Sequence, residues 1–278
     1  FDSDGDGDLD LLFINGNLDP AAGKETDSLV NRLYENRIRG SQATGGAQAG
    51  EAGFVDVTQA SGLGDGGYGM GLAVGDIDND GDLDVLITNL TGARLYRNDG
   101  LGHFEDISAA AGLDATGWCT SAAFLDYDRD GFLDLYIARY LVFDPQIKCR
   151  TPASRPDYCG PLAFQPVSDV LLHNEGGQHF EDVSVAAGIA SLRAPGLGVV
   201  CADFDGDGWP DIYVANDAHA NQLWINRRDA TFREVALQMG AALNMYGSAE
   251  AGMGVIAADL DGDGSLDLFV THLAGESN

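Results

Sequence analysis

The chain has 278 residues, 45% of them hydrophobic and 9% aromatic, with 44 acidic against 15 basic side chains for a formal net charge of −29. This balance excludes the clustered Lys and Arg that neutralise nucleic-acid phosphates, and it argues against an anionic membrane surface. Thirty-eight glycines and many short apolar runs suit a turn-rich all-β chain with a substantial core, and no run approaches the ~18 apolar residues of a bilayer span.

In chain order, the sequence begins in an acidic loop of pattern Asp-x-Asp-x-Asp-Gly-x-x-Asp: Asp2, Asp4, Asp6, Gly7, Asp10. Strands are predicted over 11–14, 31–36 and 54–58, with a Gly/Ala/Gln-rich insertion at 40–53 and a small-residue turn ending at Leu63. The second unit repeats this order. A strand over 71–75 leads into the loop Asp76, Asp78, Asp80, Gly81, Asp84, and strands over 85–88, 93–98 and 104–108 follow, closed by a turn at Leu113. The third loop is Asp126, Asp128, Asp130, Gly131, Asp134. Strands are predicted over 135–138, 169–174 and 180–184, with a Pro-rich insertion at 144–166. In the fourth unit a strand over 198–202 precedes Asp203, Asp205, Asp207, Gly208, Asp211, and strands over 212–215, 221–226 and 232–236 follow. A last strand pair, 254–258 and 268–271, flanks Asp259, Asp261, Asp263, Gly264, Asp267.

The loops recur at spacings of 74, 50, 77 and 56 residues, a basic period near 50 with two insertions. A four-stranded antiparallel unit at that period is the signature of a β-propeller blade. The expected units are 1–68, 69–118, 119–195, 196–251 and 252–278, the first and last incomplete. With four strands in each of the three complete units, three in the first and two in the last, they hold 17 predicted strands, which is not a multiple of four, so the chain is expected to be a piece of a longer propeller.

The loop spacing points to Ca²⁺, which takes six to eight hard oxygen ligands. Asp side chains at positions 1, 3 and 5 converge when the backbone curls, and Gly at position 6 permits the curl. Position 7 is Asp8, Asp82, Phe132, Trp209 or Ser265, so it is expected to offer its backbone carbonyl, and the Asp at position 9 is expected to close the shell as a bidentate ligand. The loop is not an EF-hand, because Phe13 and Ile87 stand where that motif needs a Glu. Up to five Ca²⁺ are expected, and five would bring the charge from −29 to −19.

The loops, together with the stretches 221–226, 180–184, 157–161 and 250–254, resemble the FG-GAP/VCBS repeat propellers of the cartilage acidic protein and ASPIC/UnbV family. The resemblance implies a seven-bladed, integrin-α-like propeller with Ca²⁺ in the hairpin between the first two strands of a blade. It also implies a secreted, periplasmic or cell-surface protein, often with a C-terminal ASPIC/UnbV domain. The insertion at 40–53 departs from the pattern, as do Arg233 and Glu234, which replace Glu and Asp in their strand.

Cys149 and Cys159 lie in the Pro-rich insertion, and a disulfide closing that exposed segment suits an oxidising compartment. Cys119 and Cys201 stand seven and two residues ahead of their loops, an offset too long to bridge, and read as buried small hydrophobes. An enzyme reading has His219, near Asn216 and Asp217, and then His272 and Glu250 as its candidates, while His103 and His179 occupy matching turn positions. No Gly-x-Ser-x-Gly, His-Glu-x-x-His or Walker loop is present, and no catalytic residue is assigned. A lectin-like reading would use the rings of Tyr68, Trp118, Trp209 and Trp224, and a third reading makes the chain the propeller of a polysaccharide-acting enzyme. The favoured expectation is a Ca²⁺-stabilised binding or scaffold module whose partner is a protein or glycan.

Overall fold

The computed structural model describes residues 1–16, 29–38 and 53–276, so the expected insertion at 40–53 lies outside the described residues apart from Gly53. The first sheet holds β1 (Leu11–Phe13), β2 (Arg32–Asn36) and β3 (Phe54–Asp56), and the second holds β4 (Gly69–Gly75), β5 (Asp84–Asn89), β6 (Gly92–Asn98) and β7 (Phe104–Asp106). The third is built from β8 (Cys119–Leu125), β9 (Asp134–Arg139), β14 (Val170–Asn174) and β15 (Phe180–Asp182). Between β9 and β14 run four short strands: β10 (Leu141–Val142), β11 (Cys149–Arg150), β12 (Pro156–Asp157) and β13 (Gln165–Pro166). The fourth sheet is β16 (Gly196–Ala202), β17 (Asp211–Asn216), β18 (Gln222–Asn226) and β19 (Phe232–Glu234), and the last is the pair β20 (Val255–Ala258) and β21 (Asp267–Val270).

Every blade sheet is an antiparallel meander in sequence order, and the first strands β4, β8, β16 and β20 pack side by side from one sheet to the next. That arrangement is a β-propeller seen over part of its circle, with successive blades fanned around their inner strands. The inner strands approach so closely that a Cβ on Gly198 would lie 2.2 Å from the Met253 carbonyl oxygen, which excludes every larger residue there.

Burial follows from the stacking. β5 and β17 are buried at every residue, because these two second strands are covered on both faces by neighbouring sheets; hence runs such as Val85-Leu86-Ile87 and Ile212-Tyr213-Val214 in place of alternation. The core is therefore a set of layers between blades. One layer joins Leu86 and Leu95 to Leu135, Ile137 and Phe180, and the next joins Tyr136 and Leu171 to Ile212, Val214 and Trp224. The strands β7, β15 and β19 open with a buried Phe, and two of these are tied by main chain to the unit before: the N–H groups of Phe180 and Phe232 bond the carbonyls of Ala111 and Ala187 at 2.8 and 2.9 Å.

The fourth strands are shorter than the sequence suggests. Thr58, Ser108 and Ser184 direct their N–H groups to the carboxylates of Asp56, Asp106 and Asp182 at 2.8–3.0 Å, which turns the chain out of the sheet. Glu234, one of the two departures noted above, makes the same bond to the Ala236 N–H at 2.7 Å.

Candidate metal centres

The acidic loops join the first and second strands of a blade, and their own carboxylates shape them. In all five, one oxygen of the position-1 Asp accepts the N–H of the position-6 Gly, from 2.8 Å for Asp203–Gly208 to 3.1 Å for Asp126–Gly131. Likewise the position-5 Asp accepts the position-7 N–H at 2.7–2.9 Å. So Asp8, Asp82, Phe132, Trp209 and Ser265 share a main-chain role, and their side chains are free to differ. The position-6 glycines have φ between 87° and 98°, a left-handed conformation that costs other residues strain. Position 4 is left-handed as well, yet Asn79 and Arg129 occupy it in two loops at φ 59° and 63°.

The curl brings ligand-type oxygens within 4.8 Å of one another in the sets Asp2, Asp4, Asp6; Asp76, Asp78, Asp84; Asp126, Asp128, Asp130; and Asp203, Asp205, Asp211. The fifth loop, Asp259, Asp261, Asp263 and Asp267, repeats the same turn hydrogen bonds. One carboxylate oxygen each of Asp78 and Asp126 is buried without a hydrogen-bond partner. A buried, unpaired carboxylate oxygen is costly unless a cation meets it, and an all-oxygen donor set of this kind fits a hard divalent ion such as Ca²⁺.

At position 9 the structure gives the Asp, read from the sequence as a bidentate ligand, a second role as an acceptor of main-chain amides. In four of the five loops both oxygens hold an amide, and in Asp267 one does. One oxygen accepts the position-2 N–H at 2.8–3.0 Å in Asp10, Asp84, Asp134, Asp211 and Asp267. Where a third strand is present, the other oxygen accepts the N–H of its terminal Asn, at 2.8–2.9 Å from Asn36, Asn98, Asn174 and Asn226. This residue is thus a latch between loop and sheet, with at most a lone pair of each oxygen left for a metal. Burial pushes the carboxyls of Asp84 and Asp211 up to about 6 and that of Asp134 up to about 7.

Two groups of residues here were missed by sequence reasoning. The Asn that ends each third strand also donates from its side chain to the loop of the preceding blade: Asn98 to the Ser3 carbonyl at 3.0 Å, Asn174 to Ile77 at 2.8 Å and Asn226 to Tyr127 at 2.8 Å. The repeated Asn was visible in four copies, but its partner lies some 95 residues away in sequence. A second lacing runs the other way, from Asn79 to the Gly131 carbonyl at 2.9 Å and from Arg129 to the Gly208 carbonyl. The other missed residue is His173, whose Nδ1 lies 3.1 Å from Asp134 and 3.5 Å from Asp128, so the third loop alone among those described has an imidazole beside its carboxylates.

The remaining candidates scatter. His219 contacts the Asp217 carbonyl at 3.2 Å, while the Asp217 carboxylate accepts the Tyr140 hydroxyl and Asn216 bonds the Ala220 carbonyl, so all three are tied up in loop structure. His272 faces Glu250 at 3.7 Å with both side chains largely buried. His103 and His179 are exposed at matching turns. Of the four rings, Trp224 is core, Trp209 is capped by the Arg129 guanidinium at 4.9 Å, Tyr68 is half-buried, and Trp118 stands edge-on to Tyr140 at 5.0 Å. Cys149 and Cys159 form the expected disulfide with Cα atoms 5.1 Å apart. Cys119 and Cys201 are both free; Cys119 is buried as expected, but Cys201 is half-buried, and burial pushes both thiols up to about 12. Among the described residues no helix is long and apolar enough to cross a membrane.

Four-stranded meanders fanned around their first strands, each first hairpin closed by an acidic loop, define a repeat propeller. The chain belongs to the FG-GAP-like repeat family, whose model matches residues 76–137, 162–214 and 203–270. It is 29% identical over 139 residues to cartilage acidic protein 1 of Mus musculus, covering 45% of this chain and 21% of that protein. With the Homo sapiens protein of the same name it shares 29% identity over 132 residues, covering 43% of this chain and 19% of that one. The matched stretch thus spans about a fifth of the length of these relatives. Among solved structures, 94% of the chain superposes on an Agrocybe aegerita lectin that recognises non-reducing terminal N-acetylglucosamine, at TM-score 0.42, 17% identity and 60% coverage of the lectin. The V. cholerae biofilm matrix protein Bap1 gives TM-score 0.42, 18% identity and 34% coverage.

Proposed function

We propose that the chain is a calcium-clamped propeller segment of an extracytoplasmic protein, acting as a binding or scaffold module for a protein or glycan and not as an enzyme. The observation that carries this reading is the convergence of the position-1 and -3 carboxylates with that of position 5 or position 9, around buried, unpaired oxygens of Asp78 and Asp126. The ion would be held by the Asp residues at positions 1, 3 and 5, with the position-7 carbonyl and one oxygen of the position-9 Asp as further donors. Its contribution is charge neutralisation, so that three to four carboxylates can share one hairpin; the residues themselves set the turn and tie it to the neighbouring blade. The Cys149–Cys159 disulfide supports an oxidising compartment.

The test is thermal unfolding in EDTA and after Ca²⁺ is restored. A ligand that binds only the folded state stabilises it by about 2.7 kcal/mol per site at a hundredfold excess over Kd. A clear rise of Tm on restoring Ca²⁺ is expected; an unchanged Tm would refute the clamp.

A further inference from the structure

The acidic loops occupy one end of the sheets, and the opposite end of the third blade bears a built cleft. Trp118 directly precedes β8 and Tyr140 directly follows β9, so both stand at the end of the hairpin away from its loop. From there the insertion folds back as a flap. β10 pairs with β13, β11 pairs with β12, and the Cys149–Cys159 disulfide staples the flap's tip. Under it lies a cavity of about 650 Å³. Its wall is a chain of rings: Trp118 meets Tyr140 at 5.0 Å and Phe143 at 5.6 Å edge to face, and Phe143 meets Phe164 at 6.0 Å. Phe143 remains 40% exposed.

We infer that this cleft binds a neutral sugar ring of an oligosaccharide, held against the aromatic wall and hydrogen-bonded by the rim. The argument is one of complementarity. Rings in a rigid wall offer flat apolar faces, which suit the C–H face of a pyranose, and the volume is of the size that holds a small ligand. The rim is balanced, with Lys148 and Arg150 as donors and Asp144 and Asp157 as acceptors, all four exposed. None of the four is ion-paired within the described residues. Lys148 instead bonds the Pro145 carbonyl, Arg150 the Ser154 carbonyl, and the two carboxylates accept amides of Gln146 and Tyr158. An anionic ligand would meet two carboxylates on a chain of charge −29, and a cationic one would meet Lys148 and Arg150. Hydroxyl groups, which both donate and accept, suit all four side chains.

The inference rests on reading the chain as a binding module, and not on calcium. The experiment is calorimetric titration in Ca²⁺ buffer with maltotriose, cellotriose, mannotriose and chitotriose, with trigalacturonate and hexaproline as the anionic and peptide alternatives. At least one neutral trisaccharide is expected to bind with Kd below 10 mM, and to bind at least tenfold more weakly to Phe143→Ala. The double variant Asp144→Ala/Lys148→Ala changes only exposed rim groups, so it is expected to keep the wild-type Tm while losing affinity by a similar factor. Absence of binding by all four sugars, tighter binding of trigalacturonate or hexaproline, or unchanged affinity in both variants would overturn the inference. Restoring Ca²⁺ to the chelated protein reads the clamp separately, so either can fail alone.

Discussion

Asn174 provides the sharpest test of how the blades are held together. Its side chain is fully buried and makes three hydrogen bonds: from Nδ2 to the Ile77 carbonyl at 2.8 Å and the Leu133 carbonyl at 2.9 Å, and at Oδ1 from the Gly177 N–H at 2.8 Å. Replacing it with Ala leaves all three partners behind. A buried polar group stripped of its partner costs ~1–3 kcal/mol, and at least two of these sites are shut off from solvent, so Asn174→Ala should destabilise by about 3–5 kcal/mol. Asn36 is the internal control: it holds the same place in the first sheet, but its Nδ2 makes one exposed bond, to the Leu9 carbonyl at 3.1 Å. Asn36→Ala should therefore cost under ~1 kcal/mol. Urea unfolding with saturating Ca²⁺, read by tryptophan fluorescence, measures both. Equal losses in the two variants, or a loss below ~1 kcal/mol for Asn174→Ala, would refute the claim that the Asn lacing holds neighbouring blades together.

The inner strands leave no room at Gly198, so Gly198→Ala should force β16 away from the Met253 carbonyl and lower Tm by several degrees, measured by thermal melting. Asp169 is buried between the Tyr136 hydroxyl and the Arg139 N–H, and burial raises its carboxyl from 3.8 to about 6. A raised folded-state value means that its stabilising contribution is complete below pH ~4 and is lost as pH rises through ~6, an effect of about 2–3 kcal/mol. Asp169→Asn should therefore gain on the wild type as pH rises from ~4 to ~6, and stability curves that run parallel over that window would contradict this. Reducing Cys149–Cys159, a bridge of sequence separation 10, removes about 2–3 kcal/mol of constraint from the flap. Hydrogen exchange should quicken over residues 141–166 while β5 and β17 stay protected; uniform quickening would show that the flap is part of the core.

Much of this architecture was legible because the repeat supplies its own controls. Five loops in register identify the hairpins and the candidate metal positions, and the apolar runs after them identify the second strands, buried throughout in β5 and β17. What escaped were relations across blades. The terminal Asn of each third strand reads as the last residue of a strand until its partner in the preceding unit is seen. The position-9 Asp reads as a ligand alone, and its second role, holding the amides of Ile77 and Asn98 on the two oxygens of Asp84, shows only once loop and third strand are seen together. His173 looked like one residue of an alternating strand, since nothing local reveals that its ring leans toward Asp128. The flap's two-residue strands are too short for any periodicity to mark them.

The separation of acidic loops and flap at opposite ends of the strands gives the molecule a permanent electric dipole. Twenty Asp residues sit at loop positions along one rim, about 20 Å from the other end of a six-residue strand, and five bound ions would still leave that rim negative. Near a charged surface the torque on such a dipole acts before any contact is made. A cationic matrix should capture the protein loop-end first and leave the aromatic cleft facing solvent, whereas an anionic one should turn the cleft toward itself.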